Sequence, residues 1–234
     1  MLKVRVFRAI DHPEECMRYI DGHRRVLEAY GVTKVTSANV DWMYAPNSYI
    51  STVETDDEKV LAGCRVQLAG GDLPMPIETA ISNLDPRIYD IIAELQAKGG
   101  TAELCGLWNS REVAGWGIGS IVMGQVGVAL CEQLPITTMV AFCAQATFKN
   151  CQRLGFIIKN ELGNNGTFYY PKEDLIATAL IIPDPVELTS AHPLVRDKIF
   201  DLRTHPVQRM LEKGPKGEME LDYNIRISQQ AVNA

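Results

Sequence analysis

Apolar positions recur along the chain with two periods, and the changes from one period to the other set out the elements. Lys3 to Phe7 alternates weakly, as a short strand does. Asp11-His12-Pro13-Glu14 then opens a helix, with aspartate as cap and proline in the first turn. That helix is expected to run to about Ala29 and to close at Gly31. Val32 to Pro46 is polar and irregular, whereas Tyr49 to Glu54 and Val60 to Leu68, joined through Asp56-Asp57-Glu58, read as a strand hairpin. A loop through Gly70-Gly71-Asp72-Leu73-Pro74 follows. After Asp85-Pro86, Ile88, Ile91, Ile92 and Leu95 fall at helical spacing, so this helix buries one face before Gly99-Gly100 ends it.

Residues 102–156 are the stretch around which the rest is organised. An apolar strand ending near Trp108 runs into a loop with Gly115, Gly117 and Gly119, which opens an apolar helix from about Ser120 to Leu134. Pro135 stops it. An apolar run from Ile136 to Cys143 and a shorter amphipathic helix ending at Leu154-Gly155-Phe156 complete the stretch. Leu175 to Ile182 is a further strand, and Pro183 and Pro185 mark a boundary in composition. From Ser190 or His192 to Lys213 the chain is expected to be helical, with a break near His205-Pro206. Met219, Leu221, Tyr223, Ile225 and Ile227 then alternate with polar residues, which predicts a strand with one buried face. Its partner is either the sheet of its own chain or that of a neighbour, so a homodimer stays open. The expected organisation is an α/β domain over residues 1–186 and a helix–strand extension over 187–234.

Composition narrows the function more than the fold. The 234 residues carry a net charge of -6 and no cluster of Lys and Arg able to neutralise several phosphates, which argues against nucleic acid as a partner. No apolar run approaches the ~20 residues that span a bilayer, and Met1 to Val6 lacks the features of a signal peptide, so no membrane association and a cytoplasmic location are expected. Six cysteines lie singly without Cys-x-x-Cys pairs and read as reduced core residues. His12, His23, His192 and His205 show no ligand spacing, and no metal site is expected.

Glycines at alternate positions let a backbone turn its amides toward one point, and a helix N-terminus adds free N–H groups and a positive dipole end. The loop is thus a candidate anion cradle. Ala114-Gly115-Trp116-Gly117-Ile118-Gly119-Ser120 resembles the acyl-CoA loop of the GNAT acyltransferases, Gln/Arg-x-x-Gly-x-Gly/Ala, with Ala114 where the family usually has Arg or Gln. Gln152 to Phe156 resembles the family's Tyr-x-x-Gly-Phe, with Cys151, one residue before the motif, read as standing for the tyrosine. Two other readings of the glycines stand beside this one. A dinucleotide loop wants G-x-G-x-x-G and an acidic residue on the next strand, but the spacing here is G-x-G-x-G and the next strand ends Phe142-Cys143-Ala144-Gln145. The plain reading is a tight turn beneath a buried helix.

Within that group the chain is similar to the acyl-homoserine-lactone synthases and N-acyl-amino-acid synthases. The matching pieces are Arg24-Arg25 with Tyr30, the loop through Asp41, Gly63-Cys64-Arg65-Val66-Gln67-Leu68, and Glu103-Leu104-Cys105-Gly106-Leu107. Cys105-Gly106 replaces a Ser-Arg pair, and a second acidic residue after Asp41 is not evident, so the resemblance carries over the scaffold and the thioester chemistry but not the product.

The resemblance implies a GNAT-type α/β fold with a mixed, largely antiparallel sheet flanked by helices. It implies that strands near 102–109 and 136–143 splay apart to admit a pantetheine arm, whose phosphates rest on the amides of Gly115, Trp116, Gly117, Ile118, Gly119 and Ser120. The donor would be acyl-CoA, acetyl-CoA or an acyl-carrier protein, and the acceptor a small-molecule primary amine. Glu103 is the expected general base, with burial raising its pKa; Glu54 is the reserve. Cys151 is a candidate proton donor to the leaving thiolate. Trp108 and Trp116 are candidates to line the channel, and Arg24 and Arg25 to contact an acidic substrate or carrier. Each has a plain alternative: a solvated Glu103, a core Cys151, packing tryptophans, solvated helix arginines. The rival function is a non-catalytic acyl-CoA sensor of the same fold.

Overall fold

The computed structural model describes residues 1–29, 31 and 40–228. Tyr30 of the entry motif and most of the irregular stretch after it, 32–39, lie outside the described residues. The strands are β1 (Leu2–Arg8), β2 (Ser48–Glu54), β3 (Val60–Leu68), β4 (Thr101–Asn109), β5 (Thr138–Ala144), β6 (Ile157–Ile158), β7 (Thr167–Tyr169), β8 (Ile176–Ile182), β9 (Val207–Gly214) and β10 (Gly217–Asn224). They form one ten-stranded sheet in the order β6-β8-β5-β4-β3-β2-β1-β10-β9, with β7 pairing β8. Among the described residues β4–β5 and β1–β10 are the parallel pairs, so the sheet is mixed and largely antiparallel, as the resemblance implies.

Helices cover both faces: α1 (Pro13–Ala29), α2 (Pro76–Ile81), α3 (Arg87–Ala97), α4 (Met123–Ala129), α5 (Gln145–Arg153) and α6 (Pro193–Thr204). A π-helical turn, Ile118–Val122, precedes α4 and a 3-10 turn, Leu130–Gln133, follows it, so the chain stays helical from Ile118 to Gln133. Every residue of α4 is buried, which is why its sequence is apolar on all sides but for Gln125. It lies with α6 against Cys64, Val66, Ala102 and Leu104 on one face of the sheet. On the opposite face, Cys16, Tyr19 and Ile20 of α1 cover Ile50 and Trp108, and Ile77, Ile81, Ile88 and Ile92 of α2 and α3 cover Val140, Ala179 and Ile181.

Two elements differ from expectation. The helix expected to reach Lys213 ends at Thr204, because Pro206 offers no N–H to continue it; Val207 to Gly214 instead alternates exposed and half-buried positions as β9. β10 pairs antiparallel with β9 and parallel with β1, so the alternating C-terminal strand extends the sheet of its own chain. The second difference is α2, in the stretch between the Gly70–Pro74 loop and Asp85-Pro86, to which the sequence pattern assigns no element. It is too short for a 3.6-residue period to show, and it is started by Pro76 and by the Glu78 carboxylate, which accepts the Met75 N–H at 2.8 Å. Among the described residues no helix is long and apolar enough to cross a membrane, and no group of side chains is arranged to hold a metal ion.

Candidate active site

The parallel register of β4 and β5 runs only from Thr101–Thr138 to Glu103–Val140; beyond it the two strands part. A bulge in β4 bends the strand away. Gly63 pairs with Trp108 and Arg65 with Cys105, so Gly106 and Leu107 together face Cys64 alone. Gly106 has φ +55°, a left-handed conformation that glycine takes without strain. Its carbonyl accepts a 2.6 Å hydrogen bond from the Tyr19 hydroxyl of α1, which pins the bulge. The gap is a cleft of about 250 Å³ between Leu104–Leu107 and Ala141–Ala144. Among the described residues, backbone groups on these facing edges have no strand partner, so an extended ligand can pair with them.

At its far end the cleft meets the glycine loop. Gly115 and Gly117 have φ of +81° and +82°, and at Gly117 the chain enters the helix that starts with Ile118. The first amides of that helix have no carbonyl one turn before them, which leaves them for an anion. Gly115 is exposed, Trp116, Gly117 and Ser120 are half-buried, and Ile118 and Gly119 are buried.

Glu103 sits where the strands part. It is 1% exposed, and its carboxylate accepts the Ile77 N–H of α2 at 2.8 Å. Burial pushes its pKa up to about 8, partly opposed by that hydrogen bond and by the Arg65 charge. The solvated alternative is thereby excluded. Glu103 is not itself in the cleft wall; it belongs to the sheet face shared with Arg65, Gln67 and Cys105. Cys151 does line the cleft. Its thiol is held protonated by a hydrogen bond to Cys143 and by burial, and the same bond lowers the pKa of Cys143.

Other expected residues lie elsewhere. Glu54 is on β2, near Arg5 at 3.9 Å, its pKa raised by half-burial, and does not line the cleft. Trp108 is buried under α1 against Gly22, where a Cβ would come 2.1 Å from the ring, and it and Arg25 border a separate hollow of about 260 Å³. Arg24 is an exposed helix residue paired with Asp21 at 3.2 Å.

The sequence marks Arg65 only as part of a motif. It is the largest fully buried side chain, 1% exposed. Its Nε donates to Cys105 Sγ at 3.2 Å, and its guanidinium lies 4.1 Å over the Trp42 ring. One terminal nitrogen has no hydrogen-bond partner among the described residues. Ser48 Oγ, Thr52 Oγ1 and Gln67 Oε1, on the same sheet face by register, are also buried without a partner among them. A buried, unpartnered polar atom costs roughly 1–3 kcal/mol, so this strip carries an unmet demand for hydrogen bonds. His23 also borders the cleft, its pKa lowered to about 4 by burial and by Arg65, so it is neutral near pH 7. Arg65 is discoverable from sequence only as a cation at an inward position of an apolar strand.

No protein-family model and no curated protein matches the sequence. Solved structures do match. FeeM, an N-acyl amino acid synthase from uncultured soil microbes, aligns with 81% of this chain and 99% of its own at 14% identity and a TM-score of 0.57. The fold is that of the GNAT acyltransferases. TofI, solved with an inhibitor and MTA, aligns at 11% identity, covering 82% of this chain and 99% of its own, with a TM-score of 0.54. BjaI, a CoA-dependent acyl-homoserine lactone synthase solved with SAM and isopentyl-CoA, aligns at 12% identity over 87% of this chain and 89% of its own, with a TM-score of 0.50. At these identities the GNAT likeness is one of fold.

Proposed function

We propose that the protein transfers an acyl group from a thioester donor, acyl-CoA in the first instance, to the primary amine of a small acceptor. The observation that carries the reading is the parting of β4 from β5 after Glu103 and Val140, which opens a cleft leading to a glycine loop at a helix start. The donor's pantetheine arm lies between the two strands, and a free amide on the open edge of β4 takes the thioester oxygen as charge develops there. The amine attacks the carbonyl carbon and the C–S bond breaks; the proton the amine loses passes toward Glu103, behind the cleft where the strands part, and Cys151, in the cleft wall, returns one to the leaving thiolate. Arg65, buried with an unsatisfied nitrogen, supports an acceptor that carries an anionic group besides its amine.

The test is to mix purified protein with acyl-CoAs of increasing chain length and a panel of amines including amino acids. Free thiol is followed with time, and the N-acyl product is identified by mass. Amine-dependent thiol release supports the reading. Tight acyl-CoA binding without turnover across the panel identifies a sensor instead.

A further inference from the structure

Three of the six cysteines, Cys105, Cys143 and Cys151, line the cleft between β4 and β5. Their situations differ. Cys105 accepts the Arg65 Nε–H at 3.2 Å, and burial pushes its pKa up to about 12, as it does for Cys16, Cys64 and Cys131, which do not line the cleft. A thiol held protonated is a poor nucleophile. Cys143 is the exception: the Cys151 thiol and the Thr147 hydroxyl hydrogen-bond to its sulfur and lower its pKa. It also stands one residue before Ala144, the cap of α5, so the positive end of that helix favours its thiolate.

The chain path brings the two sulfurs together. β5 runs into α5 without a loop, and α5 packs back on β5, which returns Cys151 to Cys143. Each is 8% exposed, and the cleft they line, about 250 Å³, admits a molecule as small as a peroxide. Acyl transfer uses Cys151 as a proton donor and leaves Cys143 without a task.

We propose that Cys143 and Cys151 are a peroxide-responsive thiol pair whose disulfide shuts down the cleft's thioester chemistry. The Cys143 thiolate attacks one peroxide oxygen, the O–O bond breaks, and hydroxide leaves and takes up a proton to become water; Cys143 is then a sulfenic acid. Cys151 gives up its proton and its sulfur attacks the Cys143 sulfur. The S–S bond forms, the S–O bond breaks and a second water leaves. Two thiols are oxidised and one peroxide is reduced. Cys151 now has no hydrogen to return to a leaving thiolate, and a small thiol reverses the change by exchange. The effect on turnover rests on the acyltransferase reading; the disulfide itself does not.

The experiment treats the full-length protein with hydrogen peroxide, alkylates the remaining thiols and maps tryptic peptides without reductant. Trypsin cuts after Lys149, so Cys143 and Cys151 fall on separate peptides that the disulfide joins. The joined peptides are expected from the parent protein and from Cys131→Ser, whose cysteine shares the Cys143 peptide, and not from Cys143→Ser or Cys151→Ser. Formation of N-acyl product should fall roughly a hundred-fold in the joined protein, the contribution of one positioned proton donor, and return with dithiothreitol. Peroxide that leaves both thiols free, or oxidises either without joining them, overturns the proposal, as does a joined protein that turns over at the untreated rate. An untreated protein without turnover on any amine overturns the acyltransferase reading instead, and the joined peptides alone then decide the thiol pair.

Discussion

Replacing Glu103 with glutamine separates a working buried carboxylate from a packing residue. The folded protein holds the Glu103 proton until about pH 8, whereas an unfolded chain releases it near its ordinary 4.5. Between those values the folded state binds more protons, so this residue's contribution to stability falls as pH rises through that window and is flat above it. At 1.36 kcal/mol per unit the whole span is worth up to about 5 kcal/mol. Glu103→Gln keeps an oxygen to accept the Ile77 N–H but cannot ionise. Urea unfolding of both proteins at pH 5, 7 and 9 should show similar stabilities at pH 5 and the variant ahead by several kcal/mol at pH 9. Acyl transfer should move the other way: the parent rate climbs toward pH 8 as the carboxylate ionises, and the variant loses most of it. A stability difference that stays constant from pH 5 to 9 would refute the placement of a neutral carboxyl beneath α2, and with it the assignment of the base.

Three further outcomes are expected. Arg65→Met replaces a buried cation that has no carboxylate partner among the described residues; thermal stability should hold or rise, by up to about 4 kcal/mol, while the KM for an anionic acceptor rises about ten-fold or more. Gly106→Ala forces a side chain into φ +55° and within 2.3 Å of the Tyr19 hydroxyl; it should cost about 1–3 kcal/mol in chemical denaturation and lower kcat by disturbing the bulge. His23, neutral in the fold down to about pH 4, makes stability fall as pH drops from 6.5 toward that value, a loss of ~3 kcal/mol that His23→Gln should remove from the unfolding curve.

What the sequence made legible is what depends on neighbours along the chain. Alternation at Met219 to Ile227 and the glycines at 115, 117 and 119 mark a strand and a turn whatever surrounds them. α2 escaped because six residues cannot display a helical period, and β9 because the apolar–polar mix after the break at His205-Pro206 reads as more helix. The site is harder still. Glu103 carries the same letters whether solvated or sealed, and only α2, folding back over β4, decides it. Arg65 became a site residue once Trp42 and Cys105 were seen to surround it without a carboxylate. The contact between Cys143 on β5 and Cys151 on α5 is one that no periodicity records.

The parallel seam between β1 and β10 has a bearing on how the chain is made. Leu2 to Arg5 lie beside Leu221 to Asn224, and β10 separates β1 from β9. During synthesis β1 is the first of the described strands to emerge, yet one of its edges waits until the other described strands have left the ribosome. For that interval the nascent protein carries an open strand edge able to pair with another chain. Crowded polysomes or slow decoding of the β9–β10 hairpin should therefore be where yield is lost to aggregation.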